Sequence, residues 1–201
     1  MKPAYDFTRP LSWSSINLFE EDSEKWYRKY ILGEEIKFDY ELEMKFGKKI
    51  GEKLANNPKF LPDVPRGSIF EHKFEGVYAG VPLIGYADSI DIVNDYLLEY
   101  KTGRSIWDQK RVDTHGQLDL YALLHYLKTK VKPEQMLIRL VWLPTEGGKM
   151  QPNWTMSPIK LVRPIVPRIF ETKRTMAQAL AVGERAVRAF KGMKEYYKNH
   201  K

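Results

Sequence analysis

The sequence predicts an α/β fold, a mixed β-sheet flanked by helices, and three observations carry that expectation. Three strand-like runs, "SIFEHKFEGVY", "VPLIGYADSIDIV" and "DYLLEYK", follow one another across short Gly, Pro or Asn-Asp turns and read as an antiparallel meander. Amphipathic helical stretches precede and follow this meander. A further alternating strand, "MLIRLVWL", and a long closing helix come after it.

Taken in order, "SWSSINLFEEDSEKWYRKYILG" begins with serines able to cap a helix. It places Ile16, Phe19, Trp26 and Tyr30 at roughly helical spacing and ends on Gly33, which predicts one or two short helices. "ELEMKFGKKIGEKLANNP" sets Leu42, Phe46, Ile50 and Leu54 four apart on one stripe, with Pro58 just beyond the end. The turn-rich "LPDVPRG" leads into the meander. A helix is expected from about Asp113 to Lys128. "IKLVRPIV" is an edge-strand candidate interrupted by Pro164, and a basic helix is expected over about 167–197.

At 201 residues the chain fits a single domain, 1–201, able to bury a sizeable core. No apolar run approaches the length of a membrane span, and "MKPAYDFTRPLSW" lacks the apolar stretch of a signal peptide, so no membrane partner and a cytoplasmic setting are expected. The absence of cysteine excludes disulfides, thiolate zinc sites and cysteine-held iron–sulfur clusters. A formal charge of +7 is permissive for a polyanionic partner.

The chemistry concentrates in "GYADSIDIVNDYLLEYKTG". Side chains alternate along a strand, so Glu99 and Lys101 share a face. Asp88 and Asp91 are three apart, and only one of them joins that face. A two-residue turn at Asn94-Asp95 brings in Asp88; a three-residue turn brings in Asp91, and both registers are open. Two carboxylates and an ammonium converging there form a hard oxygen site suited to magnesium, with the lysine placed to orient or deprotonate a water. Phosphodiester hydrolysis is the chemistry implied. The competing account is a structural ion pair, since Glu-x-Lys occurs five times in the chain. What distinguishes Glu99 is its strand, which reads as buried on both faces.

These residues resemble the PD-(D/E)XK nuclease superfamily, specifically its RecB-type nuclease domain. "GYADSID" is similar to that family's Gly-x-x-Asp strand, "LLEYKTG" to its Glu/Asp-x-Lys-Thr-Gly strand and "QLDLY" to its Gln-x-x-x-Tyr helix. "SWSSINLFEEDSEKWYRKYILG" is similar to its opening motif. The resemblance implies a restriction-endonuclease-like core. It assigns Asp88 and Glu99 as ligands of Mg2+ or Mn2+, with the Tyr100 carbonyl nearby, and Lys101 as the catalytic lysine, and so favours the two-residue turn. It turns Gln117 and Tyr121 toward the active site and assigns Ser14 and Arg104 as DNA contacts. Many relatives carry a histidine ligand after a conserved glycine; here Gly51 is followed by Glu52, expected as a third carboxylate ligand, with His72 a weaker candidate. Trp13 and Trp107 are candidates for stacking on bases, and the basic closing helix for phosphate contacts. Relatives with an iron–sulfur cluster hold it with cysteines where Asp22 and Ser23 stand, so a cluster-free member is implied. The function expected is a metal-dependent DNA exonuclease, bacterial or phage-encoded and suited to repair or recombination. A non-catalytic DNA- or partner-binding module on the same fold is the alternative.

Overall fold

In a computed structural model, which describes residues 7–149 and 156–200, three strands form the antiparallel meander: β1 (Ile69–Tyr78), β2 (Val81–Asp91) and β3 (Tyr96–Gly103). Strand β4 (Leu137–Glu146) joins β3 in parallel, and two short strands share the outer edge of β4. β5 (Lys160–Leu161) pairs with its Thr145–Glu146 end, and β6 (Arg168–Thr172) with Ile138–Trp142, both antiparallel. The sheet is therefore mixed, as the sequence predicts.

Among the described residues six α-helices cover it: α1 (Trp13–Glu21), α2 (Ser23–Tyr30), α3 (Glu41–Asn56), α4 (Gln109–Asp113), α5 (Gly116–Thr129) and α6 (Met176–Asn199). The opening segment is two helices because Asp22 leaves helical geometry, donating its own N–H to the Leu18 carbonyl and capping α2 by accepting from the Lys25 N–H at 2.9 Å. Helices α1, α5 and α6 pack on the face that carries Leu97, Leu140 and Trp142. Helix α3 lies on the other, burying Ile50 and Leu54 against Leu98, Tyr100 and Val141. Odd-numbered residues of β3 thus face α5 and even-numbered ones face α3. Among the described residues no helix is long and apolar enough to cross a membrane.

Two boundaries differ from expectation. The segment expected to open the last helix forms β6, and α6 begins after Thr175, whose side chain accepts from the Gln178 N–H while Gln178 returns to the Thr175 N–H. That reciprocal cap, together with open bonding positions on the edge of β4, moves the helix start beyond Pro167. Arg168, Lys173 and Arg174 consequently lie before the helix and not on its basic face. The helix expected from about Asp113 to Lys128 is α5, which starts at Gly116, with the short α4 ahead of it.

Arg174 is fully buried instead. Its guanidinium donates to Thr172 Oγ1 and to the Val112 carbonyl, each at 2.7 Å. Its Nε lies 2.6 Å from Asp119 Oδ1, a charge contact too oblique to count as a hydrogen bond. Burial pushes the Asp119 carboxyl up to about 6, against the pull of Arg174. This pair ties α5 to α4 and β6, and so fixes the helix that carries Gln117 and Tyr121.

Candidate active site

The β2–β3 connection is four residues long, Ile92–Asp95. Asp91 closes it by accepting from the Val93 and Asn94 N–H groups at 3.0 and 3.1 Å. The register pairs Ser89 with Leu98 and Asp91 with Tyr96. This loop exceeds the two-residue alternative by two residues, an even number, so the faces are those of that alternative and Asp88 joins Glu99. Asp91 is spent on the turn.

The ladder opens at Asp88. On its β1 side the pair between Phe70–Ser89 and His72–Ala87 is missing, and Glu71 takes a left-handed φ of 51°. On its β3 side the Asp88 carboxylate replaces a ladder carbonyl, accepting from the Tyr100 N–H at 2.6 Å. The kink also changes the facing of β2: Gly85 and Ala87 look toward α5, whereas Ser89 looks away and bonds Gly67 and Ile69. Gly85 itself admits α5, since a Cβ there would stand 2.9 Å from the Tyr121 ring.

Five predicted residues meet at this opening. Lys101 Nζ donates to Glu99 Oε1 at 2.7 Å and to Gln117 Oε1 at 2.8 Å. The Gln117 amide nitrogen donates to the Tyr121 hydroxyl at 2.6 Å. That hydroxyl donates to the Tyr86 carbonyl at 2.5 Å, with Glu99 Oε2 at 3.3 Å as a further acceptor. Gln117 and Tyr121 reach the same spot because they are one turn apart on α5. Glu99 is only 3% exposed, so its charge depends on these donors.

Burial, and next the nearby Glu99 charge, hold the Asp88 carboxyl well above the usual carboxylate range, against the opposing pull of Lys101 and the Tyr100 N–H. Burial and the carboxylates likewise raise the Tyr121 phenol, which stays protonated and a donor. Two carboxylates confined together with one ammonium are a hard oxygen donor set that suits magnesium or manganese. A raised folded-state pKa means that ionising Asp88 costs stability once the pH passes its unfolded value. Asp88→Asn is therefore expected to raise the melting temperature of the chelated protein at pH 8 by a few degrees, about 1 kcal/mol. Magnesium should raise it for the wild type and not for the variant. Differential scanning calorimetry with EDTA and with Mg2+ checks both.

Other predicted residues stand apart. Ile50 and Leu54 turn the apolar stripe of α3 onto the sheet, and Glu52, two residues on from Ile50, faces outward. Its side chain is 58% exposed, with Lys48 at 3.9 Å. Among the described residues no group of three or more His, Asp or Glu side chains is disposed to hold a metal. His72 packs edge-on against Phe74 at 4.7 Å, and burial lowers its pKa. Ser14 is exposed and shares a hydrogen bond with Ser12 at 3.0 Å. Arg104 is exposed 3.4 Å from Glu43. Trp107 is buried between Arg111 and His115 and acts as core, and Trp13, half-buried, packs on Gly116 with the Arg185 guanidinium 4.5 Å over its ring. Glu71, whose charge adds to the rise at Asp88, and His115, near Lys101 and lowered by burial to about 4, had no distinguishing signal in the sequence.

A sequence profile described as the PD-(D/E)XK nuclease superfamily matches residues 39–193, more than half of the chain. The chain belongs to this superfamily. No curated protein matches its sequence. Among solved structures, a "Putative exonuclease" from Eubacterium rectale superposes with a TM-score of 0.54 at 15% identity, over 92% of this chain and 82% of that one. SSO0001 superposes with a TM-score of 0.44 at 16% identity, over 87% and 69%. The first of these supports the restriction-endonuclease-like fold. Membership of the PD-(D/E)XK nuclease superfamily implies a nucleic-acid substrate.

Proposed function

We propose that the chain is a metal-dependent deoxyribonuclease that hydrolyses phosphodiester bonds, working as an exonuclease on DNA ends or single strands. The observation that carries this reading is the convergence of Asp88, Glu99 and Lys101 with Gln117 and Tyr121 at the opened end of one hairpin.

Asp88 and Glu99 would hold Mg2+ or Mn2+, which when bound supplies Lewis acidity toward a phosphoryl oxygen and lowers the pKa of water. The chain's own groups are arranged around that role. Gln117 and Glu99 each take one N–H of the Lys101 ammonium, which leaves a third directed donor for the attacking water or for charge developing on phosphorus. Gln117 in turn is fixed by Tyr121, and Tyr121 by the Tyr86 carbonyl, so the ammonium is positioned before substrate arrives. Tyr121 also places a proton near Glu99 Oε2, leaving Asp88 Oδ1 as the least engaged carboxylate oxygen.

Incubation of linear and covalently closed circular single-stranded DNA with Mg2+ tests exonuclease action. The linear form should be degraded progressively from an end while the circle survives. Equal nicking of the circle would make the enzyme an endonuclease.

A further inference from the structure

We infer that a groove beside α3, on the face of the sheet away from α6, binds the single-stranded nucleic acid leading to the active site, an inference that rests on the nuclease reading above. The groove, about 560 Å3, lies between the second half of α3, the segment 57–65 and the outer edge of β4–β5. Its floor is apolar, with Phe46, Phe60 and Leu161. Its rim is basic: Lys53, Lys59, Lys160 and Arg163, all exposed, stand against a lone acid, Glu146, which pairs with Lys160 at 3.2 Å.

The groove starts where the hairpin ends. Gly47, the residue after Phe46, lies so close to Thr102 that a Cβ would stand 3.0 Å from its hydroxyl, and Thr102 follows Lys101. On the other wall, β5 pairs with Thr145–Glu146, just past Pro144, the partner of Gly103. Lys101 faces α5 and the groove lies on the α3 face, so a strand with one phosphate at Lys101 would cross the carboxyl edge of the sheet, past Thr102 and Gly103, to enter the groove.

Chemistry selects the occupant. The rim carries a formal excess of three positive charges, matched to a row of phosphates. A duplex hides its base faces and needs only the cations, whereas unstacked bases offer apolar faces to a floor of phenyl and leucine side chains. On the basic helix α6, Arg185 is committed to Glu20 and Asn17 and Lys194 lies over the Phe190 ring at 4.2 Å, which leaves Arg188, Lys191 and Lys198 as the competing exposed cations.

The test is fluorescence anisotropy of labelled dT15 with chelator present, across a salt series. It compares the wild type, a groove variant (Lys53→Ala, Lys59→Ala, Arg163→Ala) and a helix variant (Arg188→Ala, Lys191→Ala, Lys198→Ala). Removing three phosphate contacts should reduce the slope of log affinity against log salt by about 2 and weaken binding at least about tenfold at 0.1 M salt. The helix variant should bind as the wild type does. Hydrolysis of bis(p-nitrophenyl) phosphate with Mn2+, which needs the catalytic residues and not the groove, should be unchanged in the groove variant. An unchanged slope, equal dependence for a duplex of the same length, loss of binding in the helix variant instead, or joint loss of small-diester hydrolysis would each overturn the inference. Only absence of any metal-dependent cleavage by the wild type would overturn the nuclease reading itself.

Discussion

Replacing Lys101 with alanine is expected to lower the single-turnover rate of DNA cleavage by about 10^2- to 10^4-fold while changing affinity for DNA only a few-fold. The ammonium is one cation among 33 basic side chains, so its share of phosphate attraction is small. Its share of the chemistry is expected to be large, because its ammonium bonds both Glu99 and Gln117 and still has a third N–H to direct at the reacting groups. Lys101→Arg should not rescue the rate, since a planar guanidinium fixed between two acceptors cannot aim a third N–H at the same point. Quench-flow cleavage alongside equilibrium binding decides the matter. Equal losses in binding and rate would make Lys101 a phosphate anchor only.

Arg174→Ala is expected to be the most damaging single change to stability, costing about 3–5 kcal/mol, because it strands the Asp119 carboxylate, whose Oδ1 is buried, and removes the side-chain donor of the Val112 carbonyl and of Thr172 Oγ1. Against a typical total of about 5–15 kcal/mol this is a large fraction, and urea unfolding monitored by tryptophan fluorescence measures it. The paired replacement Arg174→Met with Asp119→Leu should recover most of the loss, since a matched apolar pair removes the stranded charge. A cost under about 1 kcal/mol for Arg174→Ala would mean that the pair contributes little. Because Asp119 sits between Gln117 and Tyr121 on α5, the same variant is also expected to lower the cleavage rate of whatever fraction stays folded.

The hairpin was legible because charges on a strand that is otherwise apolar require partners, and strand parity alone brings Glu99 and Lys101 together. Asp88 was legible only as one of two alternatives: the turn's true length depends on Asp91 capping its own loop, which periodicity does not register. Glu71 was hidden because Glu-x-Lys recurs throughout the chain, and its left-handed backbone is a property of the kink, not of the residue type. Glu52 was a fair expectation from a glycine-glutamate pair on a helix, but the stripe of Ile50 and Leu54 already fixed which way the helix turns. The cap at Thr175-x-x-Gln178 was present in the sequence as a helix-start signal and was overshadowed by Pro167, an equally acceptable start. Arg174 was counted with a basic surface although it is buried, because composition does not distinguish a guanidinium facing solvent from one facing a buried carboxylate.

The most direct measurement is digestion of end-labelled single-stranded and duplex DNA with Mg2+, with Mn2+ and with EDTA, comparing the wild type with Glu99→Gln, a variant that keeps the shape of the side chain and removes its charge. The account predicts metal-dependent loss of label by the wild type, none with EDTA and none by the variant. Cleavage by Glu99→Gln at the wild-type rate, or no cleavage by the wild type with either metal, would contradict it and leave the charged hairpin as an ion-pair network.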